Sequence, residues 1–273
     1  MTRTKKTYTF LVFAFLYAPI VVFIFYSFNQ SKSRSNFTGF SLRWYIELMQ
    51  NDRIISALQN TLVVAVLSAL AATLLGTAAS LGITALKKAP RALIMNITYL
   101  PILNPEIVTG ISLMLLFVAA GTFLGISLGF WSVLIAHITF NIPYVILNVM
   151  PKIRQTDKNI IDAAMDLGCS APQAFFKVML PEITPGIASG ALMAFTLSFD
   201  NFVISYFTLG SDGFTTLPVN IYTSTRRGLS LEYNALFAIL FVTVLIFLIL
   251  MGIADNKAAS KNPNSAKQIR LRN

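Results

Sequence analysis

The stretch IDAAMDLGCSAPQAFFKVMLPEITP, Ile161 to Pro185, is the longest segment between hydrophobic runs that carries both charge and helical periodicity. Just upstream and into it, Ile160, Ala163, Ala164 and Leu167 fall at i, i+3, i+4 and i+7, one face of a helix over Asp157 to Leu167. Asp157, Asp162 and Asp166 occupy its other faces. Gly168 ends this helix, because glycine enters the left-handed conformation of a helix C-terminus without a Cβ clash. Ser170 then caps a second short helix with Pro172 in its first turn. That helix carries Phe175 and Phe176 and is expected to end before Pro181. The product is helix, bend, helix, with apolar side chains and no lipid to bury them, which suits docking against a partner protein.

Outward from this stretch the chain reads as membrane. Its 273 residues are 55% hydrophobic and only 12% charged, about half the charge of a soluble domain. The charges cluster and leave long stretches with none. A hydrocarbon core about 30 Å thick takes about 20 apolar residues per helix, so the expected class is all-α, a polytopic membrane protein. The net charge of +10 does not mark a nucleic-acid binder, since the basic residues sit at the ends of apolar runs, where they set orientation. One cysteine, Cys169, and one histidine, His137, allow no disulfide within the chain and no cysteine metal cluster. His137 lies in an apolar run and reads as a helix-packing hydrogen bond.

Six transmembrane helices are expected. Phe10 to Phe28 follows Arg3, Lys5 and Lys6; this is the charge order of a signal peptide, but the run is too long for one and no small-residue cleavage site follows. Asn29 to Ile55 reads as an outer loop with a short amphipathic segment around Trp44 and Tyr45. Ala57 to Leu86 is charge-free and rich in small residues that let helices approach closely. Lys87, Lys88 and Arg91 form a basic turn around Pro90. The 45 residues from Ile107 to Pro151 hold no charge; the Gly-rich stretch at Gly121 to Gly129 divides them, giving spans over Ala92 to Ala120 and Phe130 to Met150. A fifth span runs from Gly186 to Leu209 and a sixth from Tyr233 to Ala254, with a loop carrying Asp212, Arg226 and Arg227 between them. The membrane domain is thus 1–255, with an inner loop at 151–185 and a basic tail at 256–273. With the N-terminus inside, 15 Lys and Arg fall on inner segments and 6 on outer ones, as the positive-inside rule requires. Both termini and the 151–185 loop are then expected in the cytoplasm.

Two carboxylates fall within the expected spans, Glu106 and Asp200. An intramembrane ionisable residue is a functional-site hypothesis by default. Each lies 14 residues past the inner start of its span, about 21 Å of helix rise, so both are expected at one level in the outer half of the membrane. Pro101 and Pro105 bend the approach to Glu106 and free backbone carbonyls. Thr196, Ser198 and Asn201 gather around Asp200 as a candidate pathway wall. The alternative for both carboxylates is a packing role, protonated or satisfied by neighbouring helices.

The sequence Asp162-Ala163-Ala164, three residues, Gly168, nine residues, Val178-x-Leu180-Pro181 resembles the EAA motif of ABC importer permeases, Glu-Ala-Ala, three, Gly, nine, Ile-x-Leu-Pro. Asp162 stands for Glu and Val178 for Ile, with the spacing intact. The stretches at Gly39 to Met49, Leu128 to Ile146 and Leu180 to Phe207 are similar to permease subunits of spermidine/putrescine importers. The resemblance implies a type I ABC importer permease (MetI-like) fold and a role as half of a polyamine pathway. It implies coupling to an ATPase through Asp162, Ala163, Ala164, Gly168, Phe175, Phe176, Leu180 and Pro181. The expected partners are a homologous second permease subunit, two ATP-binding subunits and an extracytoplasmic polyamine-binding protein.

A polyamine joins ammonium groups by methylenes, so Glu106 and Asp200 with aromatic faces at Tyr99, Phe202 and Tyr206 would suit it. Trp44 and Tyr45 read either as contacts for a delivered cation or as interfacial anchors, and Arg226 with Arg227 as contacts for a binding protein or as a solvated pair. No G-x-x-x-x-G-K-[S/T] loop and no catalytic or metal-ligand constellation occurs, so no cofactor is expected in this chain, and ATP and Mg are expected in the partner ATPase. Two other readings stay open: the same fold moving another cation, a small organic solute or a metal, and a self-sufficient secondary transporter or channel with the carboxylates as ion sites.

Overall fold

Backbone groups in lipid find no water, so each charge-free run must satisfy its own N–H and C=O groups as helix. The computed structural model describes residues 3–32, 36–125, 127–157, 159–226, 228 and 230–261. Among these, the only bridge outside helices and turns joins Asn29 to Phe40. The helices are α1 (Arg3–Ser27), α2 (Arg43–Gln50), α3 (Asp52–Ala85), α4 (Lys88–Leu103), α5 (Glu106–Leu124), α6 (Phe130–Gln155), α7 (Ile160–Asp166), α8 (Ala171–Ala174), α9 (Leu180–Asp200), α10 (Val203–Thr208), α11 (Leu217–Thr225) and α12 (Glu232–Lys261). Five stretches are long and apolar enough to cross a membrane: α1, α3, α5, α6 and the continuous run Ala171–Asp200. The start of α12, Glu232–Ile246, adds a shorter apolar helix.

Four expectations need correction. The third span is two helices, because Pro105 cannot donate to the ladder and α5 begins afresh after it. The fifth span stops at Asp200 and resumes as α10, because the Asn201 side chain accepts the Ile204 N–H at 2.7 Å and starts a new helix. The helix after the bend does not end before Pro181. A π-helical turn over Phe175–Met179, in which the Leu180 N–H reaches the Phe175 carbonyl, leads straight into α9 with Pro181 in its first turn. The wider turn relieves the clash that a proline ring makes with an ordinary α-ladder. Lastly, the loop before the sixth span contains a helix, α11, and α12 runs past Ala254 to Lys261; 262–273 of the basic tail lie outside the described residues.

The chain divides into two compact units. The first joins Met1–Asp52 with Ser224–Asn273. Here Trp44 and Leu48 of α2 are buried, as are Tyr233 and Leu236 of α12, and Phe23 of α1 meets Phe237 of α12 edge-on at 5.9 Å. The second unit, Arg53–Thr223, is built on α3, α6 and α9. Ala69 and Ala72 of α3 pack with Val145, Val149 and Ile153 of α6 and with Ile183 and Ala194 of α9. Lipid tails are as apolar as leucine, so close packing of small residues must hold such helices together. Gly76 shows how close: a Cβ there would lie 2.8 Å from Val145. The other face of α3 exposes Leu62, Leu67, Leu70 and Leu74.

Candidate functional site

Two groups of residues carry the candidate chemistry, and both lie in the second unit. The first is the bend between α7 and α8. Asp157 accepts the Asn159 N–H at 2.9 Å and opens the turn into α7. Gly168 closes it with φ +90, donating to the Met165 carbonyl at 2.9 Å while Cys169 donates to Ala164. A Cβ on Gly168 would meet nothing within 4 Å, so glycine is needed there for its backbone and not for space. The Ser170 N–H donates to Gln173 Oε1 at 3.1 Å and fixes the start of α8.

The bend turns an apolar surface outward. Leu167 is 87% exposed and Phe176 64% exposed, with Met165 beside them. Asp162 and Ala163 are exposed, whereas Ala164 is buried and anchors α7. Phe175 is half-buried and meets Phe176 edge-on at 5.1 Å. Leu180 packs on the α3–α6–α9 core instead of facing outward, and Pro181 is exposed. The motif residues therefore divide: Asp162, Ala163, Phe176 and Pro181 present a surface, while Ala164, Gly168 and Leu180 set its shape.

The second group surrounds the two helix breaks. Glu106 is the first residue of α5 and Asp200 the last of α9, and both are exposed. The helix-rise argument for Glu106 holds only as far as Leu103, where α4 ends. Gly110, one turn beyond Glu106, packs so closely on α10 that a Cβ would lie 3.0 Å from Phe207. The start of α5 therefore rests against the helix that follows the Asp200 break. Beyond Asp200, Phe202 and Tyr222 have ring centroids 4.6 Å apart, and Tyr206 stands 5.2 Å from Phe202 and 5.8 Å from Tyr222. Tyr206 and Tyr222 remain exposed, so this trio offers ring faces next to a carboxylate. Tyr222 was not singled out in the sequence; an exposed tyrosine in a loop carries no signal until α11 folds it back. Tyr99 is exposed on α4.

Other expected pathway residues lie elsewhere. Ser198 and Asn201 are buried and bonded within the protein, Ser198 to Ser68 at 2.8 Å and to Asn141 at 2.7 Å. In this conformation they form no wall. Thr196 is exposed, but its hydroxyl donates to the Leu192 carbonyl. Trp44, in the first unit, is 4% exposed and donates its indole N–H to the Asn29 carbonyl. The ring is thus closed to a delivered cation in this conformation, and the Arg43 guanidinium already stands 5.3 Å from its centroid. Tyr45 shares a hydrogen bond with Ser27 at 2.8 Å. Arg226 is exposed and Arg227 lies outside the described residues. His137 is a packing residue, buried and bonded to Ser205 at 3.0 Å. No group of three or more potential metal ligands occurs among the described residues.

Residues 72–258 match the family model described as "Binding-protein-dependent transport system inner membrane component". The chain is 36% identical over 256 residues to the spermidine/putrescine transport system permease protein PotC of Escherichia coli strain K12, covering 94% of this chain and 95% of that one. It is 41% identical over 230 residues to the putrescine transport system permease protein PotI of the same strain, covering 83% and 81%. Among solved structures, a bacterial ABC transporter that imports alginate superposes with a TM-score of 0.69 over 91% of this chain and 92% of that one, at 18% identity. That likeness establishes the fold. The family match over most of the chain, with relatives above 30% identity along nearly its whole length, makes this chain a member of the inner-membrane component family of binding-protein-dependent transport systems, the permease subunits of ABC importers.

Proposed function

We propose that this chain is one permease subunit of an ATP-driven polyamine importer and forms half of the translocation pathway. The observation that carries the reading is the surface at the α7–α8 bend, where Leu167 and Phe176 stand exposed. Leu167 precedes the Ala171–Asp200 run and Phe176 lies in its first turns. At 1.5 Å per residue that run is about 45 Å long, more than a core about 30 Å thick takes, so its start can stand clear of lipid and meet a partner, and the EAA spacing makes an ATPase that partner. The loop is cytoplasmic in this reading, as are both termini. ATP and Mg bind in two partner subunits, and a homologous permease supplies the other half of the pathway. An extracytoplasmic binding protein delivers the cargo. ATP-driven closure of the ATPases shifts α7 and α8, and the spans respond by differential contact between two states.

The cargo assignment draws on the names of the full-length relatives and on chemistry at the breaks. Glu106 and Asp200 are exposed carboxylates with aromatic faces nearby, suited to ammonium groups joined by methylenes. The test is uptake of labelled spermidine and putrescine by the complete complex in proteoliposomes. ATP-dependent uptake that falls in Glu106→Gln and in Asp200→Asn is expected. A complex that hydrolyses ATP with its binding protein present, yet moves neither polyamine, contradicts the cargo. Unchanged uptake in both variants contradicts the pathway role.

A further inference from the structure

Three buried polar side chains of α6 reach α9 or α10: Ser132, His137 and Asn141. All three are buried to 1% exposure or less. Ser132 donates to the Thr208 carbonyl at the far end of α10. His137 Nε2 lies 3.0 Å from Ser205 Oγ, within α10. Asn141 donates to Ser198 Oγ at 2.7 Å, on α9. One helix thus grips the chain on both sides of the break at Asn201, and the pairs run antiparallel along it.

Ser205 Oγ also lies 3.0 Å from the Asn201 carbonyl, so its single proton serves either that carbonyl or His137 Nε2, according to the tautomer of the ring. His137 Nδ1 and Asn141 Oδ1 are both buried without a partner among the described residues. A buried unpaired polar atom costs free energy, so the two bonds that are made hold an arrangement that leaves two polar atoms unsatisfied.

We propose that His137 and Asn141 are positioning residues for transport: they clamp α10 and α9 on either side of the Asn201 break and so set the direction in which Asp200 and the Phe202–Tyr206–Tyr222 rings are presented. The proposal rests on the reading of Asp200 as a pathway residue. It assigns His137 no contact with cargo.

The test uses the complete complex in a Cys169→Ser background, with spin labels at Leu192→Cys on α9 and Ser211→Cys beyond α10, both exposed positions. The parent protein gives one narrow distance distribution. His137→Leu, and the smaller change Ser205→Ala, which removes the same bond from the other side, are expected to broaden it. Both are expected to raise KM for cargo about fivefold or more, roughly 1 kcal/mol of lost binding, with ATP hydrolysis unchanged. His137→Gln, whose amide keeps a polar partner for Ser205 Oγ, is expected to restore both readouts. Should His137→Leu fail to fold, Ser205→Ala decides alone. A narrow distribution with unchanged KM in Ser205→Ala overturns the proposal, as does broadening with unchanged KM. If Asp200→Asn leaves uptake unaltered, the pathway reading fails by itself, while the distance measurement still reports whether the clamp exists.

Discussion

Glu106 and Asp200 sit at opposite ends of their helices, which gives their neutralisation opposite effects on stability. Glu106 is the first residue of α5 and Asp200 the last of α9. A helix carries roughly half a positive charge at its N-terminus and half a negative charge at its C-terminus, worth about 0.3–1 kcal/mol to a terminal charge. An ionised Glu106 is stabilised by that field and an ionised Asp200 is destabilised by it. Neither makes an ion pair among the described residues, and each is taken with the helix it belongs to, the ends of α4 at Leu103 and of α10 at Val203 lying three residues away. In a chain of this size, 1 kcal/mol moves Tm by about 2–4 °C. Glu106→Gln should therefore lower Tm by about 1–4 °C, and Asp200→Asn should raise it by a similar amount, while uptake falls in both. Thermal unfolding of the complex in nanodiscs, run beside the uptake assay, reads the two quantities separately. A carboxylate that weakens its own helix yet cannot be neutralised without losing uptake serves the cargo and not the fold. Shifts of the same sign in the two variants would refute the reasoning. Absence of any shift in both variants would refute it equally.

Three further outcomes follow from local geometry. Gly168→Ala places a Cβ at φ +90, a left-handed conformation that costs about 1–2 kcal/mol; the ATPase must re-impose the bend on docking, so its affinity for the permease should fall about 5–30-fold, with Gly168→Asn falling less because asparagine tolerates this region. Equal losses in the two variants, or none, would show that the bend is not what the ATPase reads. Phe176→Ala, at a 64% exposed position, should leave Tm within about 1 °C and weaken ATPase association about tenfold, as loss of an interfacial aromatic anchor does; a large fall in Tm instead would make Phe176 a packing residue. Gly76→Ala forces a Cβ to 2.8 Å from Val145, an overpacking that costs about 1–3 kcal/mol and should appear as a lowered Tm with unchanged ATPase binding.

The spans were legible because absence of charge over more than 20 residues has few meanings, and the small-residue face of α3 was legible because Ala, Gly and Ser mark close helix contacts in lipid. The Gly168 bend was legible because glycine is the residue its backbone requires. The breaks were harder. Proline in an apolar run reads as a bend or as a stop, and only the fold shows that Pro105 separates two helices. At Asn201 neither proline nor glycine marks the break; its cause is one side chain accepting the Ile204 N–H, which competes with a continuing helix. The burial of Trp44 was not legible because indole suits both a membrane interface and a small core, and the Asn29 carbonyl that takes its N–H leaves no mark in the sequence. The α6 clamp had no such signal: at about 100° per residue Ser132 and Asn141 fall on opposite sides of the helix, and only the fold shows that Ser132, His137 and Asn141 each meet α9 or α10.

The central claim is that nucleotide-driven motion enters this chain at the α7–α8 bend. It is tested most directly by placing a single cysteine at Phe176 in a Cys169→Ser background and crosslinking it reversibly within the complete complex. The account predicts a disulfide-linked product of this chain with the ATPase, loss of ATP-driven uptake on crosslinking, and its return on reduction. A Phe176→Cys protein that never crosslinks to the ATPase, or that is labelled by membrane-impermeant thiol reagents only from the extracytoplasmic side, would contradict it.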